Sequence, residues 1–564
     1  MTTTDPTTLA LTGQLPFILI TGAILALPLS YWLLHLYRRA VLKRMNQRSE
    51  KPAGSRKTEA VAGAEQGESA RGDLRLSIVN AAAEQGTEHA GGTLYRSACS
   101  KPWRAGLVYL AGGCLFAVVM ALSFLRASNS EILPLRFLVL FWIYAWPLVL
   151  TLSLVAATRR RIQLLLVAAY GVGFVILGAI VLARSPDSSV GQLAVLWLTT
   201  NLPPTVLLLV FLIRRVRAVG PLVVTFMILA LTGSNLLPSI LDRRQALLRS
   251  VAEAGFSLGL GGTGVFWSFI LIGFLLFAFL GWFVLLGIRK SYQSKRVNDQ
   301  SLILDALWLL FGVSYAVGLV FEGAAWILSG IAAFAAFKTV VLFGFRTIAP
   351  TTGTPRTVSL LLLRVFSLGK RSEDLFDAVT RHWRYLGNVQ LITGPDLATA
   401  TVEPHEFLAF LSGRLDQQFI DGPETLARRV NEIDTRPDFD GRFRVNDFFC
   451  HDDTWRMTLE RLVEASDVVL MDLRGFAPQN AGCVYEVHEL VNSASLGRVV
   501  MTIDDTTDVP FLEKTLNDAW AGMRLDSPNR PGPGEVRIVR MGATGGAGFP
   551  ALLQFLCDAA VGEH

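Results

Sequence analysis

Nine apolar stretches, each long enough to cross a bilayer as a helix, limit what this chain can fold into. They cover residues 15–37, 105–125, 137–157, 162–183, 193–213, 221–241, 265–288, 302–321 and 323–344. About 20 apolar residues in a helix span the hydrocarbon of a membrane, and a helix satisfies its own backbone groups there. The composition agrees. Of 564 residues, 51% are hydrophobic and 17% are charged, against roughly 25% charged in soluble proteins. The expectation is a polytopic α-helical membrane protein of about nine spans.

The net charge of +6 sits largely beside these runs, so it speaks of orientation in a lipid bilayer and not of nucleic acid. Arg38, Arg39, Lys43 and Arg44 follow the first span, and Arg159, Arg160 and Arg161 follow the third. Arg214, Arg215 and Arg217 follow the fifth, and Arg289, Lys290, Lys295 and Arg296 follow the seventh. Lys and Arg mark cytoplasmic loops. The expected placement is the plasma (inner) membrane, with the N-terminus outside and the C-terminal part in the cytoplasm. The basic 242–263 loop breaks the pattern and reads as an interfacial helix. The first run has no basic residues before it, which argues against a signal peptide. The five cysteines lack C-x-x-C spacing and read as reduced thiols.

The expected divisions are a first span with its basic flank (1–44), a disordered cytoplasmic loop (45–103), a transmembrane bundle (104–346) and a cytoplasmic α/β domain (355–564). Asp305 and Lys338 fall near the cytoplasmic ends of their spans, within reach of headgroups. Residues 199–204 interrupt the fifth span, and Gly233, Ser234, Asn235 and Pro238 the sixth. Such breaks either line a transport site or are kinks satisfied by neighbouring helices.

From residue 355 the apolar runs shorten, and charged segments of helical length separate them. Strands are expected at 358–367, 389–393, 468–473, 498–503 and 536–541. Short apolar strands alternating with helices predict a doubly wound, five-stranded parallel sheet of flavodoxin type, with ligands at the carboxyl ends of the strands. The segment 420–450 has no place in this rhythm and reads as an insertion.

The densest polar cluster follows the third of these strands. Asp472, Arg474 and Phe476 come first, and Cys483-Val484-Tyr485-Glu486 opens the next helix. A Glu in a first turn faces the positive end of the helix dipole, which favours its ionised form. An ionised carboxylate suits hydrogen bonding to sugar hydroxyls or stabilisation of an oxocarbenium-like state. The same Glu also serves simply to improve a helix start. No metal site is expected. In Cys450-His451-Asp452-Asp453 the residues adjoin too closely to share an ion, and Asp453 reads as a helix N-cap. Gly542, Gly545, Gly546 and Gly548 form a glycine-rich loop before the last helix, either a phosphate contact or a plain turn.

A resemblance covers residues 355–560 only. Val365-Phe366-Ser367 with Glu373 and Asp374 resembles the opening strand and first loop of TIR domains. Residues 466–471, then Gly482-Cys483-Val484-Tyr485-Glu486-Val487, resemble their third strand and the Cys-x-x-Glu signature after it. Nucleoside deoxyribosyltransferase-like domains are the rival relatives. Arg474 and the segment 420–450 lie outside the shared pattern. The resemblance implies Glu486 as the catalytic carboxylate of an NAD glycohydrolase, with Ser367, Asp472, Arg474, Phe476 and Cys483 lining the nucleotide pocket. It also implies NAD as a substrate and self-association through the TIR-like domain. The functional expectation is a membrane-anchored signalling or defence protein that cleaves NAD or assembles in response to a membrane cue. The alternatives are a non-catalytic nucleotide-sensing scaffold, or a transporter with a regulatory cytoplasmic domain.

Overall fold

A computed structural model describes residues 6–46, 74–80, 90–157, 160–184, 189–211, 213, 216, 219–243, 245–348, 357–365, 370–394, 402, 404–530, 534–542 and 548–562. The chain forms two compact units. One comprises residues 1–36, 103–349 and 402–408, and the other 37–102, 350–401 and 409–564.

The first unit is helical. Its helices lie within α1 (Pro6–Asn46), α2 (Gly92–Ala127), α3 (Pro134–Tyr144), α4 (Trp146–Val155), α5 (Arg160–Arg184), α6 (Val190–Phe211), α7 (Gly220–Arg243), α8 (Gln245–Ser257), α9 (Gly262–Gln293), α10 (Asp299–Leu319) and α11 (Leu328–Ile348). Among the described residues, eight helical segments are long and apolar enough to cross a membrane. The expected sixth span falls short, because α7 is apolar only over Gly220–Asn235. The expected third span is two helices, α3 and α4, meeting at Ala145 just ahead of Pro147. The expected interruptions in the fifth and sixth spans are not breaks. Helix α6 runs through Pro203 and Pro204, and α7 runs through Pro238. Asp305 and Lys338 form an ion pair between α10 and α11, which meets the cost of charge inside an apolar bundle.

The second unit is built on one parallel sheet. Its strands are β1 (Arg75–Asn80), β2 (Leu360–Arg364), β3 (Val389–Thr393), β4 (Phe419–Ile420), β5 (Val445–Cys450), β6 (Val468–Asp472), β7 (Val499–Ile503) and β8 (Glu535–Arg540), in the order β1-β8-β7-β6-β2-β3-β5-β4. The later helices are α12 (Lys370–Trp383), α13 (Pro404–Leu411), α14 (Pro423–Asn431), α15 (Trp455–Ala465), α16 (Ala481–Ser493), α17 (Val509–Ala521) and α18 (Phe549–Val561), of which all but α13, divided after Leu408, belong wholly to this unit. The sequences LLLLR, VQLIT, VVLMD and VVMTI are buried along their whole length, as central strands of a sheet covered on both faces must be. Odd-numbered residues of β2, Leu361 and Leu363, pack with α15, α16 and α17, and even-numbered Leu360 and Leu362 pack with α12 and α18.

The sheet has eight strands where the sequence predicts five. The five expected strands lie side by side, in the order second, first, third, fourth, fifth. The extra strands extend both edges. The segment 420–450, read as an insertion, supplies β5 and the second residue, Ile420, of β4. The segment 45–103, read as a disordered loop, supplies β1, which pairs with β8 over six residues, and the start of α2. A six-residue RLSIVN run is too short and too polar at its ends to declare itself, and it becomes a strand by adding to β8. Ala98 is fully buried among α18 and the even face of the sheet.

Gly91 marks how closely this early segment is held. Its N–H donates to Asp558 Oδ1 at 2.8 Å, and a Cβ there would strike the backbone of Cys557. Gly91→Val is therefore expected to destabilise the sheet unit by about 1–3 kcal/mol through overpacking, read as a lower midpoint in thermal unfolding.

Candidate functional site

The polar residues closing three adjacent central strands meet at one edge of the sheet. In register, Arg364 of β2 stands beside Asp472 of β6, and Asp472 stands beside Thr502 of β7. Each follows a buried apolar run, so burial of the strand carries its polar end inward. Arg364 is 4% exposed and Asp472 is 1% exposed.

A buried charge needs a partner, and Asp472 has two, Arg474 and Thr502. Arg474 Nε donates to its Oδ1 and Nη2 to its Oδ2, both at 2.7 Å, and Thr502 Oγ1 donates to Oδ1 at 3.1 Å. This bidentate pair is the strong form of an ion pair. The next residue, Gly475, takes a φ of 69°, a left-handed value that a residue with a Cβ resists. Arg474 Nη2 also donates to the carbonyl of Arg371, whose own guanidinium pairs with Asp504 beyond β7. Asp472→Asn leaves Arg474 buried without its counter-charge and is expected to cost about 3–5 kcal/mol of stability, measured by denaturant unfolding.

Glu486 sits differently. Helix α16 begins at Ala481, so Glu486 lies in its second turn, not the first. It is 3% exposed, and its Oε2 has no hydrogen-bond partner among the described residues. Burial pushes its carboxyl up to about 8, against the pull of the Arg364 guanidinium and a hydrogen bond from Cys483. The expected ionised carboxylate is thus corrected to one held neutral, because desolvation outweighs a helix dipole that acts only near the terminus. A neutral carboxyl beside an arginine, with one oxygen unused, is poised to take up a cationic or hydrogen-bonding ligand.

The other expected site residues are placed as follows. Phe476 has no exposed surface and packs in the core against Phe511, with ring centroids 5.3 Å apart. Cys483 is buried, its thiol 3.7 Å from the carbonyl oxygen of Arg364. Ser367 lies outside the described residues, as do residues 543–547 of the glycine-rich loop. Tyr485 is turned to Glu460, to which its hydroxyl donates at 3.0 Å. Glu489, on the same helix, is held by Arg524 at 2.9 Å. The N-cap of α15 is Thr454, not Asp453. Arg364, Thr502, Asp504 and Arg371 were not foreseen. The signal for the first three was a polar residue closing an apolar strand, the pattern that singled out Asp472.

No protein-family model matches this chain, and no curated protein or solved structure matches it.

Proposed function

We propose that this chain is a membrane-anchored signalling or defence protein of nine spans. In this reading its sheet unit faces the cytoplasm, is TIR-like, and hydrolyses the N-glycosidic bond of NAD or a related nucleotide. The orientation rests on the Lys and Arg that follow the odd-numbered spans. The fold reading rests on the strand order β3-β2-β6-β7-β8, which is that of flavodoxin-type sheets. In such sheets a ligand binds outside the carboxyl ends of the strands where the winding reverses, here between β2 and β6.

The observation that carries the catalytic reading is Glu486, buried beside Arg364 at that reversal, with Oε2 unpartnered among the described residues. A substrate bearing a cationic pyridinium would favour loss of the Glu486 proton. The carboxylate would then stabilise the oxocarbenium-like ribosyl centre as the C–N electron pair leaves with nicotinamide and water adds.

A scaffold reading has one observation in its favour. Phe476 and Cys483, expected to line a nucleotide pocket, have almost no surface, and Asp472 is already engaged by Arg474. Nicotinamide release by the full-length protein, in detergent and clustered at high density in liposomes, decides between them. Enzymatic function predicts release that Glu486→Ala reduces by about a hundredfold or more, the scale of a lost electrostatic contact to the transition state. No release in either preparation refutes it and leaves self-assembly as the activity.

A further inference from the structure

We propose that the helical unit is a receptor for an uncharged, lipid-soluble molecule bearing a hydroxyl group, bound in a cavity between α6 and α10. The cavity has a volume of about 490 Å³, within the range of about 300–1,000 Å³ typical of small-molecule sites. Phe124, Leu196, Leu207 and Leu319 supply much of the apolar wall, and among the described residues no Asp, Glu, Lys, Arg or His lines it. A charged ligand would enter without a counter-ion, so the wall selects against one.

Three of the hydroxyls that reach the cavity lack a partner among the described residues, as the buried hydroxyls of Thr151 and Ser329 do elsewhere in the bundle. Helical Ser and Thr ordinarily return a hydrogen bond to the carbonyl one turn back, which removes the cost of a hydroxyl in hydrocarbon. Ser153, Thr199, Thr205, Thr225, Thr232 and Ser268 all do so. Thr200 and Ser314, on facing walls of the cavity, have no hydrogen bond among the described residues, and neither has the hydroxyl of Tyr144. Pro203 and Pro204 lack the N–H groups that would otherwise bond to the carbonyls of Thr199 and Thr200. Hydroxyls without partners and carbonyls deprived of helical donors therefore converge from different helices.

The fourth hydroxyl is held in place. Tyr315 Oη donates to Asn201 Oδ1 at 2.6 Å, and Asn201 Nδ2 donates to the carbonyl of Ile143 at 3.2 Å. Asn201 is fully buried, so the tether anchors Tyr315 to the end of α3 and leaves its oxygen free to accept from a ligand. Carbonyl acceptors and hydroxyls that accept as well as donate call for a ligand O–H. Apolar walls call for a hydrocarbon body. This inference is independent of the chemistry proposed for the sheet unit.

The test uses the full-length protein in phosphatidylcholine nanodiscs and three photoreactive probes of equal chain length, a diazirine-bearing fatty alcohol, the matching hydrocarbon and the matching fatty acid. The alcohol is expected to label peptides spanning 196–207 and 314–319, and excess unlabelled alcohol is expected to suppress that labelling. Thr200→Val and Ser314→Ala are each expected to weaken the alcohol's apparent affinity about threefold to tenfold, the effect of one neutral hydrogen bond. Equal labelling of these peptides by the hydrocarbon, with no suppression by free alcohol, would mean that bilayer chains fill the space and would overturn the proposal. Preference for the acid would overturn it equally. Because suppression is measured on the unaltered protein, the result stands whether or not the variants fold.

Discussion

Replacing Glu486 with glutamine is expected to abolish any nicotinamide release and, at the same time, to make the sheet unit more stable, by an amount that grows as the pH rises. The carboxyl of Glu486 is raised from 4.5 to about 8 in the folded chain. Between these values the folded state holds a proton that the unfolded state has lost. The group's contribution to stability is therefore complete below its unfolded value and is lost as pH rises through the folded one. The loss amounts to about 1.4 kcal/mol for each pH unit across that window, or about 4 kcal/mol between pH 5 and pH 8. Glutamine has the shape of the neutral carboxyl and cannot ionise, so the variant escapes this decline. Thermal unfolding of the full-length protein in detergent checks it. The two proteins should unfold together near pH 5 and separate steadily toward pH 8, with glutamine the more stable. A gap that is constant with pH would mean that Glu486 is ionised throughout in the folded state. A buried carboxyl that lowers stability at neutral pH is what a functional site, rather than a structural one, would retain.

How far the sequence discloses this arrangement depends on the length of each signal. The membrane-length helices are legible because a run of some twenty apolar residues has few other uses in a folded chain. The strands β2, β3, β6 and β7 are legible because burial on both faces makes them largely apolar runs, and β8, EVRIVR, because Val536, Ile538 and Val539 give it an apolar centre. β5 is not, because VNDFFC carries Asn446 and Asp447 in its first half, at a position near the sheet's edge. β4 has two residues and no sequence signal at all. At the site, Asp472 and Glu486 stand out by type and position. Their states do not, because these are set by tertiary neighbours. Asp472 is paired with Arg474, two residues further on, whereas Glu486 is pushed toward its neutral form by burial in the second turn of a helix that starts at Ala481. Arg364 sits in plain view at the end of LLLLR, but its pairing with Asp472 in register follows from the crossover that places β6 beside β2, more than a hundred residues apart.

A fragment beginning at residue 350 is expected to aggregate, and rejoining residues 74–102 to it is expected to restore a soluble, folded unit. The domain boundary read from the sequence falls near residue 355, yet the sheet is completed from the other side of the chain. Without β1, the six residues of β8 that it covers become an open parallel edge, a template for pairing with other chains. The same cut removes Ala98 and its neighbours Leu94, Tyr95 and Cys99 from the core formed with Val539, Met541, Leu556 and Cys557. Each large apolar side chain left uncovered forgoes about 1.5–3 kcal/mol of burial. Two or three such losses consume much of the roughly 5–15 kcal/mol that holds a domain together. Light scattering and size-exclusion chromatography of the two fragments at equal concentration are the measurements. A fragment from residue 350 that elutes as a sharp monomer with cooperative unfolding would show that the early segment decorates the sheet without supporting it. If it aggregates as expected, a null NAD assay on that fragment says nothing about catalysis, and only chains that retain residues 74–102 report on Glu486.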